Sequence, residues 1–253
     1  MSAMLLVLLA GFAAGALNAV GGGGTFVALP ALVAAGLPPV TANAASTVAL
    51  VPGSLASAWV YRPDVRPVGS TSTWALTAAS MGGGLIGAIL LLALPSASFD
   101  AAVPWLLAFA TAVLAFGRRA LSAMSTALGR PIGMGSRAVL AWQFVLSVYG
   151  GYFGGAVGIL MLAVWTIGVG LDPAASNPTR VTQVAAVYVA ATTLFLFASD
   201  VLLAPLLPAG MLVGALAGGV AGAFVARRMP ARLLRAIVLG TAATMTVLYF
   251  LRG

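Results

Sequence analysis

Two glycine clusters are the stretches of this sequence best suited to bind a ligand. The first consists of Gly21, Gly22, Gly23 and Gly24, and the second contains Gly154, Gly155 and Gly158. Glycine has no Cβ, so a ligand can closely approach the backbone N–H groups of such a stretch. Consecutive N–H groups at the start of a helix attract anions. The clusters therefore predict two anion-binding sites built from backbone amides.

A small set of polar side chains accompanies the clusters, and we expect these residues to bind substrate as well. The first group is Asn18, Thr25, Asn43, Ser46 and Thr47, and the second group is Asn177, Arg180 and Gln183. Two alternatives remain open. Asn43 and Asn177 also occupy positions where a helix N-cap is expected. An arginine such as Arg180 more often extends toward lipid headgroups.

The composition excludes most other chemistry. The chain has no cysteine, histidine, lysine or glutamate, and its four aspartates fall in predicted turns. Disulfides, thiolate or imidazole metal sites and a lysine-containing phosphate loop are therefore ruled out. A nucleophile with its base and a carboxylate pair are missing, so we expect no enzyme, no catalytic residue, no metal and no cofactor. A membrane-buried acid, the usual proton carrier, is also missing.

The hydropathy of the chain indicates a membrane protein. Of 253 residues, 62% are hydrophobic and 6% are charged, whereas a soluble domain has roughly a quarter of charged residues. Long apolar runs recur along the whole sequence, which predicts an all-α polytopic fold. The net charge of +8 comes from arginine alone. In such a protein it indicates cytoplasmic loops beside anionic membrane lipid rather than binding to nucleic acid.

The sequence repeats itself. At an offset of 134 residues, Gly21 aligns with Gly155 and Asn43 with Asn177. At an offset of 135, the glycines Gly83, Gly84 and Gly87 align with Gly218, Gly219 and Gly222. We interpret these last six as helix-packing positions. The repeat predicts a first transmembrane repeat at residues 1–120, a cytoplasmic linker at 121–136 and a second transmembrane repeat at 137–253.

Each half contains four apolar segments, and the opening segment is too long for one crossing. The segments are about 2–36, 41–60, 71–94 and 101–117 in the first half, and about 137–170, 179–199, 204–226 and 236–251 in the second. Some 35 residues make roughly 50 Å of helix, against a hydrocarbon core of about 30 Å. With a glycine cluster near its middle, each opening segment is predicted to be broken, either as a re-entrant hairpin or as a tilted, discontinuous span.

The distribution of arginine favours a hairpin in the second half. If all eight segments cross, the better orientation places seven arginines inside and five outside. If the fifth segment re-enters, only Arg252 lies outside, as the positive-inside rule prefers. We therefore predict an inverted repeat, in which each half has one glycine-broken helix and three spanning helices. Transporters of this kind direct half-helix N-termini at anionic substrates.

The glycine-containing stretches also resemble a known family. They read "AGALNAVGGGGTFVALPALVAAGLPPVTANAASTVAL", "GGYFGGAVGILMLAVWTIGVGLDPAASNPTRVTQVAAVYVAA" and "MGGGLIGAILLLALP", and they are similar to the motifs of the TauE/SafE sulfite exporter family. The resemblance implies a prokaryotic inner-membrane exporter of sulfite, thiosulfate or sulfonates. The second stretch departs from the glycine-rich pattern at Val157 and Ile159, which favours the first cluster as the anion site. A homodimer is a candidate assembly, and a non-transporting subunit of a membrane complex is the alternative function.

Overall fold

The computed structural model describes residues 3–21, 24–203 and 205–226, together with positions 236, 239–240, 243–244, 246–247 and 251. Over the three continuous ranges its regular structure is helical: α1 (Ala3–Gly21), α2 (Thr25–Ala34), α3 (Pro39–Tyr61), α4 (Thr73–Ala93), α5 (Ser96–Leu128), α6 (Ser136–Tyr152), α7 (Val157–Val169), α8 (Asn177–Ala198) and α9 (Leu206–Ala226). The prediction of an all-helical fold is confirmed. Most of the predicted last segment, residues 236–251, lies outside the described residues.

The helices are those of a polytopic membrane protein. In the part of the chain that the structure describes, four are long and apolar enough to cross a bilayer, at Pro39–Asp64, Thr73–Ala93, Ser96–Gly117 and Asn177–Ala198. Shorter apolar helices lie at Ala3–Asn18, Thr25–Ala34, Val157–Val169 and Leu206–Ala221. Helical structure dominates because the bilayer core offers backbone N–H and C=O groups no water, so each chain segment must satisfy them internally.

Helix α5 is longer than the hydropathy of the sequence predicts. The apolar segment was expected to end near residue 117, with a linker at 121–136, but the helix continues to Leu128. Residues 118–128 are polar enough to lower the hydropathy, yet they are rich in alanine, leucine and arginine, which favour helix. Gly129 then ends the helix in the left-handed conformation, with φ of 63°. The first part of the predicted linker is therefore helical.

Helix α7 returns toward the start of α6. The residues just before α6 pair with the last turn of α7: the Ile132 amide donates to the Ile167 carbonyl at 3.0 Å, and the Met134 amide donates to the Gly168 carbonyl at 2.8 Å. The beginning of α6 and the end of α7 therefore lie at the same end of the molecule.

Three other helix ends lie at this same end. The Arg66 amide, just beyond α3, donates to Thr179 Oγ1 in the first turn of α8 at 3.0 Å. The hydroxyls of Ser70, before α4, and Ser136, at the start of α6, are 2.7 Å apart. Thus α3 ends where α4, α6 and α8 begin. We call this the arginine end, because Arg62, Arg66 and Arg130 lie in the connections there and Arg137 lies in the first turn of α6.

The first two helices have a related course at the opposite end. Helix α1 runs parallel to α9, since Leu8 faces Gly214 and Phe12 faces Gly218. Helix α9 begins shortly after α8 ends, so both α9 and α1 begin opposite the arginine end. Helix α3 begins there too, and α2 joins it through the short connection at residues 35–38. The end of α2 therefore lies on the side where α1 begins.

Small residues allow the closest helix contacts. A Cβ on Gly83 would lie 2.5 Å from the carbonyl oxygen of Phe144 in α6, and one on Gly84 would lie 2.8 Å from a carbonyl oxygen of α8. Cβ atoms on Gly87 and Gly218 would come still closer to backbone carbonyls of α6 and α1. The packing interpretation is confirmed for these four glycines. Gly219 has only an ordinary contact, and the surroundings of Gly222 lie outside the described residues.

Candidate functional site

The connection between α6 and α7 places unpaired amides at a helix start. Helix α6 ends at Tyr152, and α7 begins at Val157. Between them Gly154 and Ala156 have φ of 84° and 59°, and Ala156 is the one non-glycine residue with positive φ in the described chain. No described backbone carbonyl accepts from the amides of Val157 or Gly158, as expected for the first turn of a helix. These two N–H groups remain available to a ligand.

A small cavity of about 20 Å³ lies at this helix start. It is lined by Asn18 from α1, by Gly154, Ala156, Val157, Gly158 and Ile159 from the connection and α7, and by Arg180, Val184 and Tyr188 from α8. Its volume is close to the space that one water molecule needs. The cavity brings the end of α1, from the first half, against the second glycine cluster.

Arg180 places a positive charge beside this helix start. Its Nε and Nη2 donate to Asn177 Oδ1 at 3.0 and 2.6 Å. Its Nη1 lies 2.8 Å from the position that a Cβ on Gly158 would take. The positive end of the α7 dipole and a guanidinium thus converge on one cavity. Such a place favours a negatively charged ligand, and charge-assisted hydrogen bonds are the strongest that it can offer.

Asn177 has a different role from the helix cap that its position suggested. The N-cap residue of α8 is Ser176, and Asn177 lies within the first turn. Its side-chain oxygen holds the Arg180 guanidinium instead. The N-cap interpretation is therefore wrong for Asn177. If Asn177 were the N-cap, α8 would begin at Pro178, but it begins one residue earlier, at Asn177.

Tyr188 links the starts of the two half-helices. Its buried hydroxyl donates to the Gly154 carbonyl at 3.3 Å and lies beside the side chain of Thr25, the first residue of α2. The sequence interpretation missed this residue, since a tyrosine in an apolar helix resembles ordinary core. Helical spacing could have identified it: Arg180, Val184 and Tyr188 are four residues apart and share one face of α8.

Asn43 connects the two halves away from the cavity lining. It is buried, with 1% of its surface exposed, and its Nδ2 donates to the carbonyl of Tyr152 at 2.9 Å. It lies inside α3, whose N-cap is Pro38, so the N-cap interpretation is wrong here too. The hydroxyls of Ser46 and Thr47 donate to the carbonyl of Asn43 at 2.8 and 3.1 Å. Both bonds stay within their own helix.

Gln183 belongs to a buried hydrogen-bond network between α4, α6 and α8. Ser80 Oγ donates to Gln183 Oε1 at 2.8 Å, and Gln183 Nε2 donates to Thr77 Oγ1 at 3.2 Å. Gln143 Nε2 donates to Ser80 Oγ at 2.8 Å. Gln183 is fully buried, and both ends of its amide are used by this network. It does not line the cavity.

Of the glycines predicted to bind substrate, some line the cavity and others pack against neighbouring residues. Gly154 and Gly158 line the cavity, whereas a Cβ on Gly155 would meet Phe153 at 2.6 Å. A Cβ on Gly24 would meet the Ala14 carbonyl at 2.8 Å and the Leu50 side chain at 3.0 Å, so Gly24 serves close helix packing. Gly21 is the last residue of α1. Gly22 and Gly23 lie outside the described residues.

Comparison with known proteins gives one informative match. The family model described as "Sulfite exporter TauE/SafE" matches residues 7–249, nearly the whole chain. Searches of curated proteins and of solved structures gave no match. A family match over this length, on an all-helical membrane fold, assigns the chain directly. The protein belongs to the TauE/SafE sulfite exporter family.

Proposed function

We propose that this protein exports small sulfur-containing anions, such as sulfite, thiosulfate or sulfonates, across the inner membrane of a prokaryotic cell. The observation that carries the proposal is the Arg180 guanidinium, held by Asn177 against the N-terminus of α7. The family supplies the general substrate class. The arrangement at α7 supplies the chemistry that binds it.

The anion is bound where the two halves meet. Arg180 and the amides of Val157 and Gly158 donate to its oxygens, and Asn18 approaches from α1. Because the anion is charged, each of these hydrogen bonds contributes roughly 1.5–3 kcal/mol. A cavity of about 20 Å³ is too small for a sulfur oxyanion, so loading requires α1 and α2 to move away from α7 and α8. Thr25 and Tyr188 are the contact that this movement separates.

The halves form an inverted repeat in this proposal, with both termini outside. Two contacts support it. Helices α3 and α8 are repeat counterparts, and the Arg66–Thr179 hydrogen bond joins the end of one to the start of the other. Thr111 and Thr246 are counterparts at an offset of 135, and their hydroxyls are 3.0 Å apart. A residue can touch its own counterpart only where the axis relating the repeats passes between them.

Cysteine labelling tests this topology on a chain that has no cysteine of its own. A cysteine replacing Ser96 should react with an impermeant reagent from outside, and one replacing Gly129 should react from inside. Reaction of both from the same side contradicts the inverted arrangement.

The energetics follow from the charges. The four aspartates, Asp64, Asp100, Asp172 and Asp200, are exposed, so no buried carboxylate is available among them to carry a proton. An inside-negative potential favours anion exit by about 2.3 kcal/mol per charge per 100 mV. Export therefore runs on the membrane potential without an obligatory proton.

Transport by purified protein in liposomes tests the function. A potassium–valinomycin potential should drive net movement of a permanently charged sulfonate, and a pH gradient at zero potential should drive little. Arg180→Gln should abolish this movement, whereas Arg119→Gln removes the same charge from an exposed position and should retain it. Absence of transport of any sulfur anion by the folded wild-type protein supports the alternative, a non-transporting subunit.

A further inference from the structure

One buried side-chain oxygen near the helix interruption has no hydrogen-bond partner. Asn43 Oδ1 is enclosed by protein and accepts no hydrogen bond from the described residues. The nitrogen of the same amide donates to the carbonyl oxygen of Tyr152. Since both atoms belong to one planar group, Oδ1 lies within about 5 Å of the Tyr152 oxygen. The oxygen therefore lies close to the C-terminal end of α6.

That helix end presents further oxygens without donors. Helix α6 ends at Tyr152, so the carbonyls of Gly150 and Gly151 have no following helical amide. No described group donates to either oxygen. Carbonyls in a helix point toward its C-terminus and carry the negative end of the dipole. Uncharged oxygens and negative potential are thus concentrated in one buried place.

Comparison of the two repeat halves indicates which kind of partner Asn43 Oδ1 lacks. Asn43 and Asn177 are counterparts, and Asn177 Oδ1 accepts two hydrogen bonds from a cation, Arg180. At the same offset Arg180 aligns with Ser46, whose hydroxyl donates to its own helix. The second half therefore provides a covalently attached cation for this asparagine oxygen. The first half provides none.

We propose that Asn43 Oδ1, with the carbonyl oxygens of Gly150 and Gly151, binds a sodium ion. An orphan acceptor at a helix C-terminus attracts a cation and repels the transported anion. Carbonyl oxygens at broken-helix ends are suitable ligands for Na⁺. A divalent ion would require carboxylates, and the four aspartates of the chain are exposed to solvent rather than buried with Asn43. The claim goes beyond the proposed function, because sodium binds here whether or not an anion is transported.

Sodium binding can be measured on the purified full-length protein with no sulfur anion present. Sodium chloride replaces choline chloride at constant ionic strength while thermal unfolding is recorded, and ²²Na⁺ binding is measured by equilibrium dialysis. We expect a saturable rise in the unfolding midpoint and saturable binding of about one ion per chain. Potassium should give a smaller response. Absence of saturable ²²Na⁺ binding to the wild-type protein overturns the proposal and leaves water as the partner of Asn43.

Two variants and a control locate the ion. Asn43→Ala should abolish the sodium response. Thr192→Val removes another buried oxygen without a partner and should retain the response. Asn43→Asp keeps an oxygen ligand and adds charge, so it should be unstable in choline, be rescued by sodium and bind ²²Na⁺ at least tenfold more tightly. An Asn43→Asp protein that sodium does not rescue, or an Asn43→Ala protein with the wild-type response, contradicts the assignment. Anion binding is measured separately, so failure here leaves the Arg180 site standing.

Discussion

The two glycine clusters differ in charge although the repeat relates them. At the second cluster, Arg180 and the unpaired amides of α7 converge on a cavity. At the first cluster, the counterpart of Arg180 is Ser46, which donates to its own helix, and Gly24 serves close packing. The shared sequence pattern thus provides the helix architecture in both halves. Among the described residues, the guanidinium and the unpaired helix amides of the proposed anion site belong to the second half.

The helix interfaces beside the two clusters show the same contrast. Helices α4 and α6 pack through glycines and also share the network of Ser80, Gln143 and Gln183. The counterparts of Ser80 and Gln143 are Ala215 and Leu9, which cannot form such bonds. Helix α6 is therefore fixed to α4 and α8 by hydrogen bonds as well as packing. We expect α1 and α2 to be the helices that move in the proposed transport.

The largest effect should come from filling a glycine contact at the α4–α6 interface. Gly87→Leu places a branched side chain against the backbone of α6, at a cost of more than about 3 kcal/mol, beyond usual overpacking. We expect no folded protein in detergent by size-exclusion chromatography. Gly53→Leu is the control, because a Cβ there meets nothing within 4 Å. Equal recovery of folded protein for both variants would show that the α4–α6 contact is looser than described.

Removing one residue of the hydrogen-bond network tests whether these bonds, and not packing alone, stabilise the interface between α4, α6 and α8. Gln183→Leu leaves Ser80 and Thr77 without their partner, at a cost of roughly 1–3 kcal/mol. The thermal unfolding midpoint should fall by several degrees. Thr193→Val provides the control, since the Thr193 hydroxyl is exposed and donates only within its own helix. An unchanged midpoint for Gln183→Leu means that the network does not hold α6 against α4 and α8.

A conservative change at the cation tests whether geometry matters in addition to charge. Arg180→Lys keeps the positive charge but loses the planar set of donors that contacts Asn177 and the anion together. We expect sulfonate affinity, measured by isothermal titration calorimetry, to fall about tenfold. If this variant binds sulfonate with wild-type affinity, Arg180 acts through its charge alone and not through the geometry of its hydrogen bonds.

The smallest effect should follow loss of the residue that positions the arginine. Asn177→Ala removes the oxygen that accepts from Arg180 Nε and Nη2, and we expect sulfonate affinity to fall about three- to tenfold. Asn177→Asp keeps an acceptor for Arg180 but adds a negative charge beside the anion, so affinity should fall further than in Asn177→Ala. If neither variant changes affinity, Arg180 is positioned by other contacts.

Much of the helical architecture could be predicted from the sequence, because a bilayer restricts the backbone to few solutions. Apolar runs located the helices, and repeated glycines located the close α4–α6 contact. The length of α5 could not be read from hydropathy, since residues 118–128 are polar yet helix-forming. At the site, Asn18, Gly158 and Arg180 were predicted and do line the cavity.

The other site predictions depended on how each helix is rotated about its axis, which spacing along one helix does not determine. Asn43 faces the end of α6 and Gln183 faces α4, although both were expected to face substrate. Tyr188 contacts both half-helices and carried no sequence signal beyond its spacing from Arg180.

The most direct test of the account is the position of a bound anion. Selenite matches sulfite in charge and shape, and selenium can be located by anomalous diffraction from crystals grown with it. The account predicts a selenium peak at the N-terminus of α7, with its oxygens within hydrogen-bonding distance of Arg180 and the Gly158 amide, and no equivalent peak at α2. A peak at the start of α2, with none beside Arg180, would contradict the proposal that Arg180 and the N-terminus of α7 bind the anion.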